Sequence, residues 1–273
     1  MNTVIDQSTS LFNEIHIPVD GGTVAARIGG AGNSAPIVLF HSLLADDTSF
    51  DRIAVPLAQT RKLIILNLPG FGASDRVEGG LEAVADRVAA ALAAMSLDQR
   101  PIFLGNGYGG FVALMTAIRH PDIAARLVLA DCGAAFSEPG RAAFRGMSAG
   151  AKEKGLAGIS DVAMRRLFAP SYQAAHPELI EERRARFVAV DPQTFHAACA
   201  ALSTLDVRDR LAQVSVPVLV LVGEHDEATP PAMSTELAAG LRDARLVVLP
   251  GCAHVPQLQE PELFLDAIRD FIK

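Results

Sequence analysis

Short, unbroken runs of branched apolar residues punctuate the chain: PIVLF (36–40), KLIIL (62–66), PIFLG (101–105), RLVLA (126–130), VPVLVLV (216–222) and RLVVL (245–249). Runs of this length, bounded by turn-forming residues, predict strands. Polar residues do not alternate within them, so both faces of the sheet are expected to be covered, as in parallel sheets between helix layers. LFNEIHI (11–17) and TVAARI (23–28) read as a leading pair joined by the Asp-Gly-Gly turn at 20–22.

Helical patterns fall between the strands, at 81–95, 109–119, 232–241 and 261–272, the last opening at Pro261. This alternation predicts an α/β fold: a mostly parallel, eight-stranded sheet with helices on both faces. One region breaks the rhythm. From about Gly133 to Arg210 no strand is evident, and Ala, Leu, Arg and Glu recur with helical spacing. The chain therefore divides into a core of residues 1–133 and 211–273 and a helical lid of residues 134–210. Such an insertion is expected to cover the strand ends where sheets of this kind bind ligands.

Composition narrows the function. With 24 basic and 31 acidic side chains the formal net charge is -7, which argues against a nucleic-acid partner. No apolar run approaches the ~18 residues a membrane span requires. The opening MNTVIDQSTS has neither a charged start nor an apolar stretch, so no secretory signal is expected and a cytoplasmic location is. Cys132, Cys199 and Cys252 have no metal-ligand or disulfide spacing and read as small buried side chains, with no metal site.

The richest motif is Gly105-Asn106-Gly107-Tyr108-Gly109-Gly110, which follows a strand and opens a helix. It admits two readings. Gly105, Gly107 and Gly110 satisfy a dinucleotide fingerprint, with Asp131 placed to hold a ribose. Alternatively, the same segment is a G-x-S-x-G nucleophile elbow with glycine at its centre. The other loops favour the second. Phe40-His41-Ser42-Leu43, Asn67-Leu68-Pro69-Gly70-Phe71-Gly72-Ala73-Ser74, Gly223-Glu224-His225-Asp226 with Thr229-Pro230, and Gly251-Cys252-Ala253-His254 each follow a strand. All four are expected at the C-terminal ends of strands, where such sheets carry their sites.

In this order the motifs resemble the α/β-hydrolase family over essentially the whole chain. Within it, HSLLADDTSF (41–50), LFAPSYQAAHPELI (167–180) and DPQTFHAACAALSTLDVRDRL (191–211) are similar to the 3-oxoadipate enol-lactonase branch. The resemblance implies Asp226 as the acid and His254 as the base, with the carboxylate fixing the imidazole tautomer. It implies an oxyanion hole from the N–H groups of Leu43 and Tyr108. The pocket is expected between lid and core, with Leu43 and Tyr108 on its floor and Phe168 in its roof. Arg165 and Arg166 are either contacts for a substrate carboxylate or solvated helix charges. His41 is expected to support the oxyanion loop and His225 to be exposed. The expected partner is a small molecule, with no cofactor.

One departure is decisive. Residue 107, where the family pattern places the nucleophilic serine, is Gly107, which has no side chain to acylate. Ser42 belongs to the oxyanion loop, a position that is not the nucleophile in the family. Asn67 replaces the usual Asp and reads as a turn change. Hydrolysis of a small ester or enol-lactone by a His254-activated water is then the first reading. The alternatives are an impaired pseudoenzyme that binds a small ligand, and a cofactor-free lyase, isomerase or oxygenase built on the Asp–His dyad.

Overall fold

A computed structural model describes residues 11–273. The opening decapeptide, read above as lacking a secretory signal, lies outside the described residues. Eight strands form one sheet in the order β1-β2-β4-β3-β5-β6-β7-β8. They are β1 (Phe12–Val19), β2 (Gly22–Gly29), β3 (Ile37–Phe40), β4 (Leu63–Leu66), β5 (Ile102–Asn106), β6 (Arg126–Ala130), β7 (Val218–Gly223) and β8 (Ala244–Leu249). β1 and β2 pair antiparallel, as does β2 with β4, and every pairing from β4 onward is parallel.

The apolar runs form the central strands because each has two faces to bury. In β3, Val38 and Phe40 enter one hydrophobic cluster, while Ile37 and Leu39 enter a second on the opposite face. Helices cover both faces. α1 (Asp51–Ala58) and α11 (Pro261–Ile268) bury Ile53, Leu57, Phe264 and Ile268 in the second cluster. α2 (Gly80–Ala94) and α3 (Tyr108–Arg119) pack into the first. α1 was not anticipated. Its interior Pro56 and its polar start at Asp51 mask a helix that buries only one stripe.

Between β6 and β7 the chain is helical: α4 (Glu138–Gly158), α5 (Ser160–Leu167), α6 (Pro170–Ala175), α7 (Pro177–Val188) and α8 (Pro192–Thr204). A bridge between Ala135 and Asp206, with Val207 N–H donating to the Ala134 carbonyl at 2.9 Å, ties the two ends of this segment together. Beyond β7 lie α9 (Pro231–Gly240) and the short α10 (Pro256–Gln259). Among the described residues no helix is long and apolar enough to cross a membrane.

Candidate active site

Gly107 forms the sharp turn from β5 into α3. Its backbone sits at φ +54 and ψ -120, a conformation that favours glycine. The turn is held by Gly107 N–H donating to the Ala130 carbonyl at 2.9 Å. Close approach demands the flanking glycines. A Cβ on Gly105 would meet the Gly109 carbonyl oxygen at 2.5 Å, and one on Gly109 the Phe40 carbonyl oxygen at 2.0 Å. The glycine pattern thus serves helix–strand packing. Asp131, the residue a dinucleotide would require for its ribose, is fully buried beneath the site, so that reading fails.

Asp226 and His254 arrive from the loops after β7 and β8. His254 Nδ1 donates to Asp226 Oδ2 at 2.9 Å, and both side chains are buried. Asp226 Oδ1 accepts from the N–H groups of Ala228 at 2.8 Å and Thr229 at 3.0 Å, and Oδ2 from Thr229 Oγ1 at 2.6 Å. Burial pushes this carboxyl up, but His254 and the Thr229 donors outweigh it and hold it below the ordinary carboxylate range. The acid therefore stays ionised and holds Nδ1 protonated, which leaves Nε2 as the free basic atom of the ring.

A buried polar brace fixes the histidine backbone. Asn106 Nδ2 donates to the His254 carbonyl at 2.9 Å and to Asp131 Oδ2 at 3.2 Å, and Gln257 Nε2 donates to Asn106 Oδ1 at 3.1 Å. Sequence reasoning missed this brace and the part Thr229 plays. The available signal was a polar residue closing an apolar run, at Asn106, the last residue of β5, and at Asp131, directly after β6.

His41 anchors the loop after β3, in the supporting place expected for it. Its Nδ1 donates to the Ser42 carbonyl at 2.9 Å and its Nε2 accepts from Leu68 N–H at 3.2 Å. Burial lowers its pKa and keeps the ring neutral, as an acceptor at Nε2 requires. The N–H groups of Leu43 and Tyr108 donate to no protein acceptor among the described residues. Asn67 packs under the turn that follows β4, where a Cβ on Gly72 would strike its Oδ1 at 2.1 Å.

A cavity of about 30 Å³ is lined by Ser42, Leu43, Gly107, Tyr108 and His254 below and by Phe136, Phe144, Met147 and Arg166 above. Phe168 does not line it. That ring is fully buried and stacked on Tyr172, with centroids 5.5 Å apart, so the roof is built from α4 and Arg166 instead. The two arginines of α5 part ways. Arg165 is exposed, whereas Arg166 turns inward with its guanidinium 5.6 Å from the Phe144 ring centroid. His225 is exposed. The three cysteines are buried, and burial pushes the Cys199 and Cys252 thiols up to about 12.

The comparisons with known proteins agree with this geometry. Residues 37–267 match the model of the alpha/beta hydrolase family. A pimeloyl-[acyl-carrier protein] methyl ester esterase of Neisseria meningitidis is 32% identical over 248 residues, spanning 87% of this chain and 93% of that protein. 3-Oxoadipate enol-lactonase 2 of Acinetobacter baylyi is 26% identical, with 87% and 89% covered. The crystal structure of an enol-lactonase from Burkholderia xenovorans superposes with a TM-score of 0.88 at 26% identity, over 94% of this chain and 99% of that one. An eight-stranded, mostly parallel sheet with a histidine–carboxylate pair beyond its strand ends, and relatives that are esterases and enol-lactonases, lead to one conclusion: the chain belongs to the alpha/beta hydrolase family.

Proposed function

We propose that this chain hydrolyses small esters or enol-lactones that carry a carboxylate, with His254 as general base. The observation that carries the reading is His254, held by the buried Asp226, facing a cavity with Leu43 and Tyr108, whose backbone donors are unused among the described residues. Two such donors suit the oxyanion of a tetrahedral intermediate. Arg166 supplies the substrate class. It faces the same cavity, donates to the Ala228 carbonyl at 3.5 Å and makes no ion pair among the described residues, so a carboxylate on the substrate would give it a charged partner.

Gly107 excludes an acyl-enzyme at the position where the family pattern carries its serine. Overall the acyl group passes to water. In the direct form of the reaction, His254 Nε2 takes a proton from a water as that water attacks the carbonyl carbon, and returns a proton to the leaving oxygen. In this reading the 134–210 segment acts as a lid that moves to admit the substrate to the cavity of about 30 Å³.

The test is hydrolysis of p-nitrophenyl acetate and of mono-p-nitrophenyl succinate, by the protein and by its His254→Ala variant. Turnover that falls at least about 100-fold in the variant supports the reading. No turnover of either ester, or turnover indifferent to His254, overturns it. Gly107 itself favours a second reading, ligand binding without turnover. That reading predicts a succinate monoester that binds and is recovered intact.

A further inference from the structure

Two polar atoms converge on the face of Gly107. A Cβ built on that glycine would lie 2.7 Å from His254 Nε2 and 2.7 Å from Ser42 Oγ. The two atoms therefore cannot be farther apart than twice that distance. Ser42 is 1% exposed, lines the cavity, and its hydroxyl bonds to no protein group among the described residues. His254 Nε2 likewise has no protein partner there. A nearly buried hydroxyl and the basic nitrogen of a carboxylate-held imidazole thus face the same point with nothing else to bind.

We propose that Ser42 is the nucleophile of this chain, standing in for the hydroxyl that Gly107 lacks. The proposal rests on the hydrolase reading above and deepens it, replacing direct attack by water with a two-step path. In the first step Ser42 Oγ–H gives its proton to His254 Nε2 as the bond from Oγ to the acyl carbon forms. The bond from the acyl carbon to the ester or ring oxygen then breaks, and that oxygen takes the proton from His254. In the second step a water gives a proton to His254 as its oxygen bonds to the acyl carbon. The acyl–Oγ bond breaks and the proton returns to Ser42.

The chain geometry supports the exchange of positions. A serine at an elbow is followed directly by one oxyanion donor, here Tyr108 N–H after residue 107. Ser42 is followed directly by the other, Leu43 N–H. Both unused donors belong to residues that line the same cavity as Ser42, so they are available to a tetrahedral oxyanion formed on Ser42. His41 holds the Ser42 carbonyl through Nδ1, which fixes the backbone that aims the hydroxyl.

The experiment uses diisopropyl fluorophosphate, which phosphorylates an activated serine with loss of fluoride, followed by peptide mass mapping, with p-nitrophenyl acetate turnover measured on the same sample. The expected result is one adduct per chain on the peptide that contains Ser42. It should be absent in Ser42→Ala and form at least about 100-fold more slowly in His254→Ala. No adduct, an adduct on another residue, or labelling indifferent to His254 each overturns the proposal. The two failures are distinguishable. Ester turnover with no Ser42 adduct leaves the hydrolase reading standing with direct water attack, and absence of both removes both.

Discussion

Asp131 lies beside Asp226, and of these two buried carboxyls Asp226 alone bonds to His254. An oxygen of each and a nitrogen of His254 all fall within 4.8 Å of one another. Asp226 takes four donors including His254. Among the described residues Asp131 receives only Gly223 N–H at 2.9 Å and Asn106 Nδ2 at 3.2 Å. Burial first, and then the Asp226 charge, hold the Asp131 carboxyl well above its ordinary range, while Asp226 is held below its own. Asp131 also takes φ +53, a strained backbone for a residue with a side chain.

The sign of the resulting pH dependence follows from linkage. Between the ordinary carboxylate range and its raised folded value, Asp131 binds a proton in the folded chain and releases it in the unfolded one. It therefore lowers stability progressively as pH rises through that window. Asp131→Asn removes the titration. The melting temperature of the variant relative to the parent protein is expected to rise from pH 4 to pH 7. A difference that stays constant over that range would show that Asp131 is ionised in the fold.

Asp226 behaves in the opposite sense. Its folded carboxyl titrates below the ordinary range, so its contribution is present above that range and is lost as pH falls through the lowered value. Asp226→Asn leaves the shape of the pair but presents His254 with the wrong tautomer. In a related triad the equivalent change cost about 10⁴-fold in turnover. A loss of at least about 100-fold in ester hydrolysis, with little change in KM, is the expected outcome, checked by steady-state kinetics.

Arg166 allows a prediction about specificity. Its guanidinium faces the cavity and packs against Phe144, with no carboxylate paired to it among the described residues. Arg166→Met keeps much of the apolar contact and removes the charge. KM for mono-p-nitrophenyl succinate is expected to rise at least about 10-fold, since a lost charge-assisted hydrogen bond is worth roughly 1.5–3 kcal/mol. KM for p-nitrophenyl acetate should be unchanged. An equal rise for both esters would assign Arg166 to holding the roof rather than to recognising substrate.

The contrast between Arg165 and Arg166 also shows where sequence reading runs out. The strands were legible because central parallel strands bury both faces and leave unbroken apolar runs. The loops after β3, β5, β7 and β8 were legible because turns need particular residues there. Adjacent charges on a short helix carry no mark of which one turns inward, since that depends on how α5 lies over the sheet. Phe168 failed for the same reason: an aromatic in a helical segment packs on whichever neighbour the tertiary arrangement supplies, here Tyr172. Asn106, Asp131 and Thr229 act across loops far apart in the chain, and Ser42 gains significance only when His254 is set beside it.

Returning a serine to position 107 is the sharpest test of how the site has been rearranged. At φ +54 and ψ -120 a side chain strains the backbone, at a cost of order 1–3 kcal/mol. Its Cβ also falls 2.7 Å from both His254 Nε2 and Ser42 Oγ, closer than such atoms approach. The histidine is held from behind by Asp226, so Ser42 is the group that must give way. Gly107→Ser alone is therefore expected to lower the melting temperature and to raise ester hydrolysis little. Combining it with Ser42→Ala removes the Ser42 oxygen and leaves one hydroxyl before His254. The double variant should regain part of the lost stability and exceed both single variants in hydrolysis, with the fluorophosphate adduct now on the serine introduced at 107. Equal activity in the double variant and in Ser42→Ala would show that His254 serves the Ser42 position alone, because its Nε2 is no longer aimed at an elbow hydroxyl.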